Sequence, residues 1–107
     1  MSAINELHHQ AMDVAEIAFV LKLIGNFKEA ADYTRQAYRL ECKAAELVSN
    51  NFEAEPTRSV LHRSAATLAI DCGEFREAAR LIASALSGNP PPEIAEELRD
   101  LQEAIPC

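Results

Sequence analysis

The sequence predicts an all-α domain, and three features of its composition and patterning indicate that class. With 107 residues and a hydrophobic fraction of 49%, the chain suits one compact domain and is too apolar for a disordered tail. Alanine, the best helix former, is the commonest apolar residue, whereas aromatic residues make up only 6%. Apolar residues recur at three- and four-residue steps between breakers, which is typical of helices that each bury one face.

The first two helices are predicted to form a hairpin over about residues 3–49. Apolar residues from Ile4 to Leu21 recur at helical steps, and Gly25 ends that helix. The second helix has the same pattern and continues without a breaker to about Val48. These two are expected to be the longest helices of the chain.

The third and fourth helices are predicted to form a second hairpin over about residues 56–88, with Gly73 at its turn. Pro56 suits the first turn of the third helix, because the N–H that proline lacks has no helical partner there. The last helix, over about residues 91–105, carries four acids in its N-terminal half, where they complement the positive end of the helix dipole. We expect it to cap the open end of the helix array.

The C-terminal part of the first helix differs from the other segments in being apolar nearly all round. From Ile17 to Ile24 only Lys22 is polar. A surface helix has a single apolar stripe, so this segment is expected to be covered on more than one side. We expect the second and third helices to cover it. The alternative is that this segment is a self-association face and that the chain forms a homodimer.

Two stretches of the chain match each other, residues 23–31 and residues 71–79. Their shared core is Gly-x-Phe-basic-Glu-Ala-Ala. Glycine permits the left-handed turn that closes one helix. We expect the aromatic residue to plug the hairpin and the paired alanines to let the second helix lie close to the first. The motif therefore predicts a helix hairpin at each of its two occurrences.

These residues resemble the second half of the tetratricopeptide repeat (TPR) motif. The matching positions are Gly25, Phe27, Ala30 and Ala37 in the first unit and Gly73, Phe75, Ala78, Ala85 and Pro90 in the second. Cys42 stands where proline would close the first unit, and the glycines are 48 residues apart against a family period of about 34. The resemblance implies a five-helix, right-handed superhelix of two antiparallel helix hairpins plus a C-terminal capping helix.

The charge of the chain is uneven, and the third helix is its basic part. The net charge is −7, yet residues 56–88 carry four bases and three acids. At three- and four-residue spacing Arg58, His62, Arg63 and Thr67 can be neighbours on a helix. Arginine holds carboxylates in a bidentate manner, so we expect this strip to bind an acidic peptide or a chain-terminal carboxylate.

The TPR resemblance implies that the first helix of each hairpin lines a groove. The predicted partner-binding residues are Met12, Ala15 and Phe19 on one wall and Arg58, His62, Arg63 and Thr67 on the other. The family's carboxylate clamp is not expected, because only Arg63 supplies a cation at the matching positions. The alternative is that both arginines pair internally with carboxylates such as Glu53, Glu55 or those of the last helix.

We expect a non-catalytic protein–protein interaction module of the cytoplasm, an adaptor or regulatory subunit, with no catalytic residue, metal or cofactor. The net charge argues against binding to nucleic acids or anionic membranes, which need a cationic face. No apolar run is long enough to span a membrane, and no secretory signal is visible. Three widely spaced cysteines favour a reducing compartment; we expect Cys72 to be buried and Cys107 to be exposed and unreactive.

Two functions from other classes stay open. A small enzyme or metal-binding helical protein could use His62 as a general base, or His8 and His9 near Asp13 as metal ligands. A histidine pair without a third ligand is a weak metal site, and a catalytic triad needs groups from different elements. The other alternative is a self-assembling homo-oligomeric structural module.

Overall fold

The computed structural model describes residues 2–106 and consists of five α-helices. They are α1 (Ser2–Leu23), α2 (Phe27–Val48), α3 (Thr57–Asp71), α4 (Phe75–Leu86) and α5 (Pro92–Ala104). This part of the chain contains no β-strand. The predicted all-α class and the five helices are confirmed. None of the five helices has the length and apolar character needed to cross a membrane.

Each helix packs mainly against its neighbours in the chain. α1 packs along α2 and α3 packs along α4, and a three-residue turn joins each pair. α2 also contacts α3, while α5 rests on both α3 and α4. The described residues span 40 × 36 × 21 Å, and the shortest dimension corresponds to two layers of helices that are each about 10 Å across.

The two predicted glycine turns have the same geometry. Gly25 has a φ of 82° and Gly73 a φ of 76°, both in the left-handed region. In each turn the N–H after the glycine donates to the carbonyl five residues earlier at 2.8 Å, and the glycine N–H donates to the carbonyl three residues earlier. This is the Schellman motif, which satisfies the last carbonyls of a helix. The predicted role of both glycines is confirmed.

The other part of the repeat prediction, the aromatic plug, is wrong. Phe27 is largely exposed and Phe75 partly so, and only the first alanine of each pair, Ala30 or Ala78, is fully buried. Each phenylalanine is the first residue of its helix, where the Cα–Cβ bond tilts back towards the preceding turn. The small alanine therefore makes the close contact in each hairpin.

The core lies mainly between the second half of α2 and the helices α3, α4 and α5. Most of its large apolar side chains come from α3, α4 and α5, and the alanines of α2 and α3 let the helices approach closely. The α1 helix contributes Ile4 to this cluster, with Leu7 packed against it. Further along α1, Ala11 and Ala18 are buried.

The expectation that both α2 and α3 cover residues 17–24 is wrong. Ile17, Val20 and Ile24 are 45–71% exposed. Ile17, Val20 and Ile24 are three and four residues apart, so they lie on one side of α1 and of the turn that follows it. The buried Ala11 and Ala18 lie on the other side, where α2 packs. No helix among residues 2–106 packs on that outer side of α1.

Candidate partner-binding surface

Arg58 is an interior residue and is 0% exposed. Its Nε donates to the carbonyl of Ser49 at 3.0 Å, Nη2 to that of Ser84 at 2.9 Å, and Nη1 to that of Ala85 at 3.4 Å. Its Cζ lies 4.6 Å from the centroid of the Phe52 ring. The guanidinium therefore connects the ends of α2 and α4 to α3.

Two expectations for Arg58 are consequently wrong, namely that it lines a groove and that it pairs with a carboxylate. Its polar partners are carbonyl oxygens and the Ser84 hydroxyl. Glu55 instead accepts the backbone N–H of Ser59 at 3.1 Å, in the first turn of α3. Gly88 leaves the space that the guanidinium occupies, because a Cβ at that position would clash with Nη1.

His62 is also an interior residue, with 2% of its surface exposed. Its Nδ1 donates to the carbonyl of Arg58 at 2.7 Å, and Nε2 lies 3.5 Å from the hydroxyl of Ser84. Burial lowers the pKa of His62, so the imidazole is neutral near pH 7. The expectation that His62 lines a groove is wrong, and its burial also gives no support to a role as a general base.

The opposite face of α3 carries the other two predicted residues. Arg63 is partly exposed and Thr67 is exposed, and both line a cleft between α3 and α5 together with Glu97 and Asp100. The Nη1 of Arg63 lies 2.7 Å from Oε2 of Glu97. The alternative that Arg63 pairs with the last helix is therefore confirmed. The positive charge of Arg63 is balanced by the carboxylate of Glu97.

The wall predicted on α1 borders a different cleft. Ala15 and Phe19 lie across from Leu68 and Asp71 of α3, and Thr34 of α2 also lines this cleft. Two further lining residues of α1 are Ala18 and Lys22. Met12, one turn before Ala15, is half-buried. The structure thus places the α1 wall opposite an apolar and an acidic residue of α3 instead of Arg58 and His62.

Phe19 is the largest exposed group at this α1–α3 cleft. Its side chain is 61% exposed, whereas Leu68 is buried and Ala15 is half-buried. The Thr34 hydroxyl donates to the carbonyl of Ala30 at 2.9 Å, so its hydrogen is already engaged within α2. The cleft consequently offers an aromatic ring beside small and apolar side chains.

A buried carboxylate in α2 was missed by the sequence analysis. Glu41 is 0% exposed, and its Oε2 lies 2.8 Å from Nδ1 of His8, which is about one-third exposed. Burial raises the pKa of Glu41, while the hydrogen bond and charge of His8 and a smaller effect of Ser64 oppose that shift. The signal was available, because Glu41 continues the apolar stripe that runs from Ala37.

His8 contacts Glu41, whereas the metal alternative uses His8 and His9 together with Asp13. His9 and Asp13 are both exposed. In the part of the chain that the structure covers, no group of three or more His, Cys, Asp or Glu side chains is arranged to hold a metal ion. The observed contact gives no support to a metal site at His8.

Cys42 and Cys72 are half-buried free thiols. Burial raises the pKa of Cys42 to about 11 and also raises that of Cys72. Raised thiol pKa values mean little thiolate at neutral pH and hence low reactivity. Cys107 lies outside the described residues.

The most extensive exposed apolar surface was only partly foreseen. Among residues 2–106, six of the nine exposed large hydrophobic side chains fall within residues 17–27. Five of them form what we call the outer face of α1, which includes the turn after α1 and the first residue of α2; they are Ile17, Val20, Leu23, Ile24 and Phe27. Asp13 and Glu16 border the shallow depression at its N-terminal end.

Comparison with protein-family models, with curated proteins and with solved structures returns no match to this chain. The resemblance to the TPR family consequently remains an expectation from the sequence.

Proposed function

We propose that this chain is a non-catalytic protein–protein interaction module, an adaptor or regulatory subunit, that binds a polypeptide in the α1–α3 cleft. Phe19 carries the proposal, because a phenylalanine that is 61% exposed adds little to the core of its own chain. Aromatic residues beside apolar clefts are typical anchors of protein interfaces. Ala15 and Leu68 supply the adjoining apolar surface.

We also propose that the five helices form a TPR-like superhelix of two hairpins and a capping helix. The support is the recurrence of the same glycine turn at Gly25 and Gly73, and the packing of α5 on α3 and α4. In such an array α1, α3 and α5 would line the concave side. The α1–α3 cleft and the α3–α5 cleft would then both belong to one binding surface.

The charges around the two clefts are mixed, which changes the partner we propose. The α1–α3 cleft is lined by Lys22 and Asp71, and the α3–α5 cleft pairs Arg63 with Glu97. With Arg58 buried, the arginines no longer favour an acidic peptide. We propose instead that the partner is a polypeptide segment whose apolar side chain enters the cleft and whose polar residues flank that side chain, as in an amphipathic helix.

A reducing compartment such as the cytoplasm is part of the proposal. Its support is that Cys42 and Cys72, both partly accessible, are free thiols. The enzyme and metal-binding alternatives gain no comparable support, because His62 is buried and His8 contacts a single carboxylate, that of Glu41.

The test is quantitative affinity capture from a lysate of the source cells, with the captured proteins measured by mass spectrometry. Phe19→Ala removes the proposed anchor, and Leu47→Ala is the matched control because it removes an exposed apolar side chain from α2. We expect at least one captured protein to be lost with Phe19→Ala and retained with Leu47→Ala. Identical captured sets for both variants and the unaltered chain would overturn the proposal.

A further inference from the structure

We propose that the outer face of α1 is a contact between two copies of this chain, which form a homodimer with their α1 helices antiparallel across a twofold axis. This surface is separate from the α1–α3 cleft, so the inference does not depend on the proposed binding of a polypeptide there. It starts from a continuous apolar surface that no described helix covers.

Within the outer face of α1, the residues that precede Gly25 form a continuous apolar row because they follow helical spacing. Ile17, Val20 and Ile24 are separated by three and four residues, which places their side chains in one row. Leu23 adjoins this row, and Phe27 follows directly after the Gly25 turn. The exposed fractions of the five side chains range from 45% to 71%.

The area of this face matches what a stable dimer needs. Its five side chains together expose about 500 Å², at roughly 150–200 Å² for each large side chain. A standard interface buries about 800 Å² per partner, and in homodimers about 65% of it is apolar, which corresponds to about 520 Å². A second copy would therefore cover this face with little apolar surface left over.

The charges at the two ends of the face are complementary to each other. Asp13 and Glu16 are exposed at its N-terminal end, whereas the opposite end has two exposed bases, Lys22 and Lys28, and one exposed acid, Glu29. A twofold axis perpendicular to α1 brings the acidic end of one copy to the basic end of the other. A parallel pairing would instead place like charges together, which is unfavourable.

The helix at the other end of the array explains why association would stop at two copies. α5 packs on α3 and α4, and its exposed residues include the acids Glu93, Glu96 and Glu103. A head-to-tail contact would have to bury apolar side chains of α1 against these carboxylates, at a high desolvation cost. The contact of one outer face with the same face of a second copy closes the assembly as a dimer.

Sedimentation velocity from about 1 μM to about 100 μM, a range that brackets a micromolar dissociation constant, tests this inference. We expect a species of twice the 11.8 kDa chain mass at the higher concentrations. Ile24→Glu should raise the dimer dissociation constant at least tenfold, whereas Leu47→Glu, a charge on exposed α2 surface, should not change it. A monomer at every concentration, or a dimer unaffected by Ile24→Glu, overturns the proposal.

Charge exchange tests the antiparallel arrangement. Asp13→Lys and Lys28→Glu should each raise the dissociation constant several-fold, and the double variant should restore it towards that of the unaltered chain. If the double variant is no tighter than the single variants, the antiparallel arrangement is wrong. Circular dichroism of each variant confirms that the helices are retained.

Discussion

The Nη2 of Arg58 donates to the carbonyl of Ser84 at 2.9 Å, across the packing of α3 against α4. Ser49, whose carbonyl accepts from Nε, follows the last residue of α2, and Ser84 and Ala85 lie in the last turn of α4. Such carbonyls have no partner within their own helix and form the negative end of its dipole. One buried guanidinium therefore donates hydrogen bonds to carbonyls at the C-terminal ends of two helices, α2 and α4.

Removal of this cation should strongly destabilise the fold. Arg58→Ala removes the donor to the Ser49 carbonyl and the hydrogen bonds that tie α3 to the Ser84 and Ala85 carbonyls, and it opens a cavity, so we expect a loss of about 3–5 kcal/mol in the free energy of unfolding. Urea unfolding followed by circular dichroism measures it. Arg76→Ala, on exposed α4 surface, is the control and should change stability by less than about 0.5 kcal/mol. A loss below about 1 kcal/mol for Arg58→Ala would contradict the described role.

Gly88 should tolerate no side chain while the guanidinium is present. The methyl group of Gly88→Ala would clash with Nη1 of Arg58, which its hydrogen bonds hold in place, so we expect a loss of about 1–3 kcal/mol. In the Arg58→Ala background the same methyl group should cost much less. A double-mutant cycle of urea unfolding measures this coupling. Equal costs in both backgrounds would show that the two residues do not interact.

Glu41 should make stability depend on pH in a definite direction. Its pKa is raised in the folded chain, so the folded state holds the proton more tightly than the unfolded state does. The contribution of Glu41 is therefore fully present below its unfolded pKa and is lost as pH rises through its folded pKa. The stability of the unaltered chain relative to Glu41→Gln should fall over that range.

Urea unfolding at a series of pH values measures this difference for Glu41. Glu46→Gln is the matched control, because Glu46 is exposed on the same helix. We expect no comparable trend relative to Glu46→Gln. A difference between the unaltered chain and Glu41→Gln that stays constant with pH would show that the carboxyl group titrates alike in the folded and unfolded chain.

Cys42 should react slowly in the folded protein. With a pKa of about 11, about a thousandth of the thiol is thiolate at pH 8, against about a quarter for an unperturbed cysteine. Alkylation of Cys42 should therefore be about 250-fold slower in the folded chain than in urea. Peptide mass spectrometry over a time course gives both rates, and similar rates would contradict the burial of this thiol.

The helices and the two glycine turns could be predicted from the sequence because their causes are local. Gly25 and Gly73 can adopt a positive φ without steric cost, and the apolar spacing on either side of them does not depend on distant residues. The exposure of Phe27 could not be predicted in this way. Its exposure depends on where the partner helix lies, which the spacing alone does not determine.

The error in the predicted groove has a geometric cause. Successive residues are about 100° apart on a helix, so Arg58 and His62 share the buried side with Ala65, whereas Arg63 and Thr67 lie on another side. A full angular comparison along α3 would have separated the two pairs. That three carbonyls receive the Arg58 hydrogens could not be predicted, because two of them lie 26 and 27 residues away in α4 and the third lies beyond the loop that precedes α3.

The exposure of the outer face of α1 likewise could not be predicted from the sequence. Its apolar character is visible from Ile17 to Ile24, but composition does not indicate whether α3 reaches it. In the structure α3 packs on α2, α4 and α5. It borders α1 near Leu61 and near Leu68, and not along the outer face of α1.

The affinity of a captured partner for the purified chain, measured by isothermal titration, tests the central claim most directly. Phe19→Ala should weaken binding at least about tenfold, because an anchoring aromatic side chain contributes more than about 1.4 kcal/mol. Leu47→Ala should leave the affinity unchanged. Equal affinities for Phe19→Ala and the unaltered chain would contradict the claim that this protein recognises a polypeptide through the α1–α3 cleft.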